Sequence, residues 1–105
     1  MVRHVILWQL KEGYTNSEIA VIKADIKSGL EGLLGVVPGL IKISVSTNGL
    51  ESSNADLMLD SLLESEEALK GYAVHPAHVA VANEKVRPFT KTRVCMDSLL
   101  DSDTE

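Results

Sequence analysis

Tyr72, His75 and His78 fall within one short stretch, Tyr72-Ala73-Val74-His75-Pro76-Ala77-His78, which holds two of the chain's three histidines. Imidazole is the side chain whose unperturbed pKa lies nearest neutrality, so a histidine held against a carbonyl compound can take a proton from the neighbouring carbon. His78 is the candidate general base. Tyr72 can orient that imidazole or donate a hydrogen bond to a developing enolate oxygen. The remaining histidine, His4, shares an alternation face with Ile6 and Trp8 and can supply a second polar contact. A plainer reading stands beside this one. A histidine next to proline often bonds a backbone carbonyl or caps a turn, and Tyr72 can be a core aromatic with its hydroxyl at the edge. His75, directly before Pro76, fits the turn role better than the pocket role.

Other chemistries are less well supplied. His75 and His78 have a spacing that can share a metal, but zinc takes three or four ligands and only His4 is left to help, so no metal site is expected. No acidic pair argues for magnesium. No glycine-rich phosphate loop is present, and the proton chemistry needs no cofactor. Cys95 lies between Val94 and Met96, with Arg93 on its face, and reads as an inert core or interface thiol. A single cysteine excludes a disulfide framework within one chain and suits a reducing cytoplasm. Acidic residues outnumber basic ones by 15 to 10, without a basic stripe, so nucleic acid is not an expected partner. No window has the length of a membrane span, and Arg3, His4 and Gln9 break up the first ten residues where a signal peptide would be apolar. These features predict a cytoplasmic protein with no membrane partner.

The elements that must position these residues follow from periodicity. Residues 2–10 alternate as a strand, with Val2, His4, Ile6, Trp8 and Leu10 on one face and Arg3, Val5, Leu7 and Gln9 on the other. Thr15-Asn16-Ser17-Glu18 spells a capping box. Ile19, Ile22, Ile26, Leu30, Leu33 and Leu34 follow at helical steps, with the helix fading near Gly35 and broken at Pro38-Gly39. Residues 40–47 alternate as a second strand, Ile41, Ile43 and Val45 facing one way. After a polar turn region at 48–54, residues 55–63 read as a third strand, with Leu57, Leu59 and Ser61 opposite Met58, Asp60 and Leu62. Ser65 caps a second helix whose apolar face is Ala68, Leu69, Tyr72 and Ala73. Pro76 interrupts it and opens a further helical piece, from His78 to about Lys85, which Pro88 ends. Residues 89–97 make the last strand.

The order β-α-β-β-α-β is the ferredoxin-like, split βαβ pattern: an α+β fold with a four-stranded antiparallel sheet and helices on one face. Its length fits one small domain, residues 1–98, followed by an acidic, frayed tail at 99–105. Val5 and Leu7 would meet water on the uncovered face, and the simplest cover is the same sheet from a second chain. A homodimer through the sheet face is therefore predicted. The candidate pocket lies between helices and sheet, with Ile6, Trp8, Leu57 and Leu59 as its substrate-binding wall beside Tyr72.

These residues resemble a known family. Val2-Arg3-His4-Val5-Ile6-Leu7-Trp8, Val36-Val37-Pro38-Gly39-Leu40, Glu64-Ser65-Glu66-Glu67-Ala68-Leu69, Tyr72, His75-Pro76-Ala77-His78-Val79 and Arg93-Val94-Cys95-Met96-Asp97 look like the stress-responsive dimeric A/B barrel family. The resemblance covers nearly the whole chain and implies an α+β barrel homodimer. Most members have no assigned activity; a plant member, olivetolic acid cyclase, closes a linear polyketide into an aromatic ring by aldol condensation. Carried across one residue at a time, that relative's pocket tyrosine falls on Tyr72, its catalytic histidine on His78 and its first-strand histidine on His4. A further pocket histidine, in the third strand, falls on Leu57, so one polar contact of that reaction is missing here. The resemblance implies a small apolar pocket that binds or cyclises a carbonyl-bearing molecule. The alternative is a non-enzymatic, stress-protective or ligand-binding dimer. A weaker one is a haem-related monooxygenase, which would need an axial ligand that the sequence does not specify.

Overall fold

The computed structural model describes residues 1–100; the end of the acidic tail, 101–105, lies outside the described residues. Strand β1 (Val2–Leu10) leads to helix α1 (Asn16–Glu31), then β2 (Leu40–Ser46), β3 (Leu57–Leu63), α2 (Glu66–Val74), α3 (Pro76–Val81) and β4 (Thr90–Leu99). A single π-type turn, Ala82–Val86, and a 3-10 turn, Arg87–Phe89, join α3 to β4. The sheet is antiparallel in the order β2-β3-β1-β4, the ferredoxin-like arrangement expected, with the helices on one face.

Local chemistry sets the element boundaries. Thr15 and Glu18 form the reciprocal capping box, Glu18 N–H donating to Thr15 Oγ1 and Thr15 N–H to Glu18 Oε1. Helix α1 ends sooner than its apolar spacing predicts, at Glu31 with Gly32 as cap. Leu33 turns into the core, whereas Leu34 is exposed rather than part of the buried helix face. In β2 the pairing with β3 slips between Leu40 and Lys42. That bulge explains why Ile41 is exposed while Val45 is buried and Ile43 half-buried, instead of all three sharing one face. The edge of β2 is blunted by α1: Lys27 Nζ donates to the Val45 carbonyl at 2.8 Å, and Val45 N–H donates to Glu31 Oε2 at 2.9 Å. The far end of β1 is pinned by Asp56, whose carboxylate accepts from Leu10 N–H at 2.7 Å.

The core lies between helices and sheet. Ile22, Ile26 and Leu30 of α1 and Tyr72 of α2 pack on Ile6, Trp8, Leu57, Leu59 and Leu63. Gly29 lets α3 come close, since a Cβ there would stand 3.0 Å from Val81 Cγ1. The helical layer covers β1 to β3 closely but leaves the inner face of β4 open. Arg93, Cys95 and Asp97, opposite Trp8, Ile6 and His4, are all exposed. Among the described residues no layer covers the outer face: Leu7, Val94 and Met96 are exposed there, Met96 by 66 %. Among the described residues no helix is long and apolar enough to cross a membrane.

Candidate functional site

Because β4 is uncovered on its inner side, a cavity of about 700 Å³ opens between that strand, β1 and the α2–α3 corner. Its sheet wall includes His4, Ile6, Trp8, Leu59, Arg93, Cys95 and Asp97; its helical wall includes Leu69, Tyr72, Ala73, His78 and Val86. The expected residues His4, Ile6, Trp8, Leu59, Tyr72 and His78 thus meet at one space. Leu57 does not line it. It sits buried in the core, paired with Trp8 across the strands.

The aromatic rings form a row. Tyr72 is stacked on His78, with centroids 4.2 Å apart and planes at 31°, and meets His4 edge-on at 5.8 Å and 65°. His78 Nδ1 lies 3.3 Å from the Ala73 carbonyl oxygen, which can only accept, so Nδ1 carries the proton. In the neutral ring the lone pair therefore belongs to Nε2. Burial lowers the His78 pKa, with Arg87, His4 and Arg93 acting in the same direction against the Ala73 hydrogen bond. The imidazole is thereby held neutral under ordinary conditions, as a general base requires.

Tyr72 is only 1 % exposed, and its hydroxyl is the one buried side-chain polar atom without a hydrogen-bond partner among the described residues. Burial pushes its pKa up to about 12, against the opposing pull of Arg93. It stays a proton donor at neutral pH. A buried hydroxyl without a partner costs stability, and natural interiors hold few of them. His75 does what the turn reading expects: its Nδ1 accepts from Ala77 N–H at 3.1 Å and caps α3.

The polar face of β4 that lines the cavity, Arg93, Cys95 and Asp97, was not assigned to the site from sequence. Cys95 is exposed to the cavity, not an inert core thiol. Its Sγ lies 3.8 Å from His4 Nδ1 and 3.5 Å from Asp97 Oδ1. His4 Nδ1 also bonds the Asp97 carboxylate directly. Burial and the neighbouring Asp97 charge raise the Cys95 pKa, with Arg93 pulling the other way. The signal in the sequence was the alternation Arg93, Cys95, Asp97, which puts a polar group at every second position of one strand face.

Residues 2–99 match the family described as Stress responsive A/B Barrel Domain. A stress-response A/B barrel domain-containing protein of Arabidopsis thaliana is 27 % identical over 103 residues; the match takes in 96 % of this chain and 37 % of that protein. The chain thus spans little more than a third of that relative's length. A dimeric protein of ferredoxin-like fold from Bacteroides fragilis superposes with a TM-score of 0.87 at 26 % identity, covering 94 % of this chain and 95 % of that one. A dimeric ferredoxin-like protein from Thermobifida fusca gives a TM-score of 0.75 at 22 % identity, covering 94 % and 90 % of the two chains.

Proposed function

The chain belongs to the stress-responsive A/B barrel domain family, and from that premise we propose that its cavity binds a small apolar carbonyl compound and moves a proton on it. The observation that carries this reading is the orphaned Tyr72 hydroxyl, buried beside a neutral imidazole at an open cavity lined by apolar and polar side chains alike. A bound carbonyl oxygen would supply the missing acceptor. His78 Nε2 would take the proton from the adjacent carbon, and Tyr72 would stabilise the enolate oxygen that results. Ile6, Trp8 and Leu59 would hold the apolar body, with His4 as a further polar contact. An intramolecular aldol closure is one reaction such an enolate undergoes. No redox step and no cofactor enters this scheme.

The functional unit we propose is a homodimer joined through the outer sheet face. Leu7, Val94 and Met96 are too exposed there for a lone sheet, and the Bacteroides and Thermobifida proteins are themselves dimeric. A free thiol open to solvent suits a reducing compartment, which supports a cytoplasmic setting.

Trp8 is the chain's only tryptophan and lines the cavity, so its fluorescence reports occupancy. Acetophenone is a suitable probe: its binding is read by Trp8 quenching, and deuterium uptake at its methyl group by proton NMR in heavy water. The expected result is saturable quenching and accelerated exchange in the wild type. His78→Gln should keep the quenching and lose the exchange. Quenching without exchange, indifferent to pH, would mean that the cavity is a passive binding site.

A further inference from the structure

Opposite Tyr72 and His78 on the sheet wall, His4, Cys95 and Asp97 bring a nitrogen, a sulfur and a carboxylate oxygen together, all within 4.8 Å of one another. Two arrangements would account for such a group, and the geometry separates them. In a nucleophile relay the imidazole uses one nitrogen toward the thiol and the other toward the carboxylate. Here the same atom, His4 Nδ1, faces both Cys95 Sγ and Asp97 Oδ1. The Cys95 thiol is also directed at Asp97 Oδ1, at 3.5 Å. The three groups converge on one point instead of forming a chain.

We propose that His4, Cys95 and Asp97 form a divalent metal site of the zinc type, with the fourth coordination position open to the cavity. Tetrahedral zinc with a nitrogen, a thiolate and a carboxylate oxygen places its ligand atoms about 3.4–3.6 Å apart. The two distances from Cys95 Sγ, 3.8 and 3.5 Å, are already close to that spacing. Only the direct His4–Asp97 hydrogen bond must open, by rotation of an exposed carboxylate. The donor set favours zinc over magnesium or calcium, which take oxygen ligands. Thiolate and carboxylate together balance the ion's double charge; binding releases the thiol proton, and the neutral His4 ring carries its one proton on Nε2 so that Nδ1 can ligate. Arg93, two residues from Cys95 on the same strand face, opposes it through like charge. A second observation points to a ligand in the same space: the buried Tyr72 hydroxyl, beside the His4 ring, lacks a partner. A water or carbonyl oxygen on the ion's open position would offer it one.

The site does not depend on His78 acting as a base, and its test is independent of turnover. Cobalt(II) is the probe, added to the reduced, full-length protein without substrate. The expected result is one ion bound per chain, with the near-ultraviolet thiolate-to-cobalt charge-transfer band and the intense visible bands of tetrahedral cobalt. Cys95→Ser should abolish the charge-transfer band. Asp97→Asn should keep the band but weaken binding by at least about tenfold. Both side chains are exposed and both replacements are close in size, and circular dichroism checks that the folds match. His78→Gln should bind cobalt as the wild type does. A wild type with no charge-transfer band would overturn the proposal. So would an Asp97→Asn chain with unchanged affinity, which marks adventitious binding at a lone thiol, or a His78→Gln chain with lost affinity, which places the ion elsewhere.

Discussion

Replacing Tyr72 by phenylalanine removes a single oxygen atom and should make the protein more stable while weakening its function. The Tyr72 hydroxyl is buried without a hydrogen-bond partner. Leaving such a group unsatisfied costs about 1–3 kcal/mol relative to leaving it in water. Phenylalanine keeps the ring that packs against His78 at 4.2 Å and against the core. What it gives up is the dispersion contact of one oxygen, a smaller quantity. The net expectation is a gain of about 1 kcal/mol, which in a domain of this size raises Tm by about 4–8 °C. Thermal and urea unfolding followed by circular dichroism read the change, and the cavity ligand must be absent from both samples. Trp8 quenching by acetophenone should weaken in the same variant, because the carbonyl oxygen loses its donor. A loss of more than about 1 kcal/mol would contradict an unpartnered hydroxyl. It would mean that the hydroxyl is bonded in the resting protein and is not held in reserve for a ligand.

Three further expectations follow from other parts of the molecule. The unfolded imidazole protonates near pH 6.5, whereas the folded His78 protonates at lower pH because it is desolvated. Between those values the unfolded chain binds more protons, so stability should fall as pH drops below about 6.5, and His78→Gln should flatten that part of the urea-midpoint profile; an unchanged slope would count against the assignment. Gly39 has φ near +80°, and a Cβ there would stand 2.6 Å from Ala68 Cβ. Gly39→Ala should therefore cost about 2–4 kcal/mol in urea unfolding, and a cost below about 1 kcal/mol would contradict the close approach of α2 to this turn. Lysines at Val94 and Met96 together should halve the mass measured by sedimentation while leaving far-ultraviolet dichroism intact; a dimer that survives both would move the interface away from the outer face.

Much of this architecture is legible in the sequence because it is encoded locally. The capping box at Thr15 and Glu18, the serine cap at Ser65, the proline break at Pro76 and the alternation of β1 each depend on residues a few positions apart. The pairing of Tyr72 with His78 is legible for the same reason, since a helix end and its continuation bring them together. What depends on register between distant strands is not. Ile41 is turned outward by a bulge against β3 that its own alternation cannot reveal. Leu34 continues the helical apolar spacing, but Gly32 caps α1 before reaching it. Cys95 looks like a core residue between Val94 and Met96. It is exposed because the broken helix α2–α3 leaves the inner side of β4 uncovered, a consequence of packing across some ninety residues of chain separation from His4. Asp97 reaches the site by the same pairing of β4 with β1.

Nitrogen NMR of histidine-labelled protein near neutral pH, with and without acetophenone, reads the protonation and the ligand contact of His78 directly. If His78 is the base at the cavity wall, its ring is neutral, with the proton on Nδ1 and the lone pair on Nε2, and the Nε2 resonance moves on saturation with the ketone while His75 stays still. A His78 ring protonated on Nε2, or an Nε2 resonance that saturating ketone leaves unmoved, would contradict the claim that this imidazole is the base at the cavity wall.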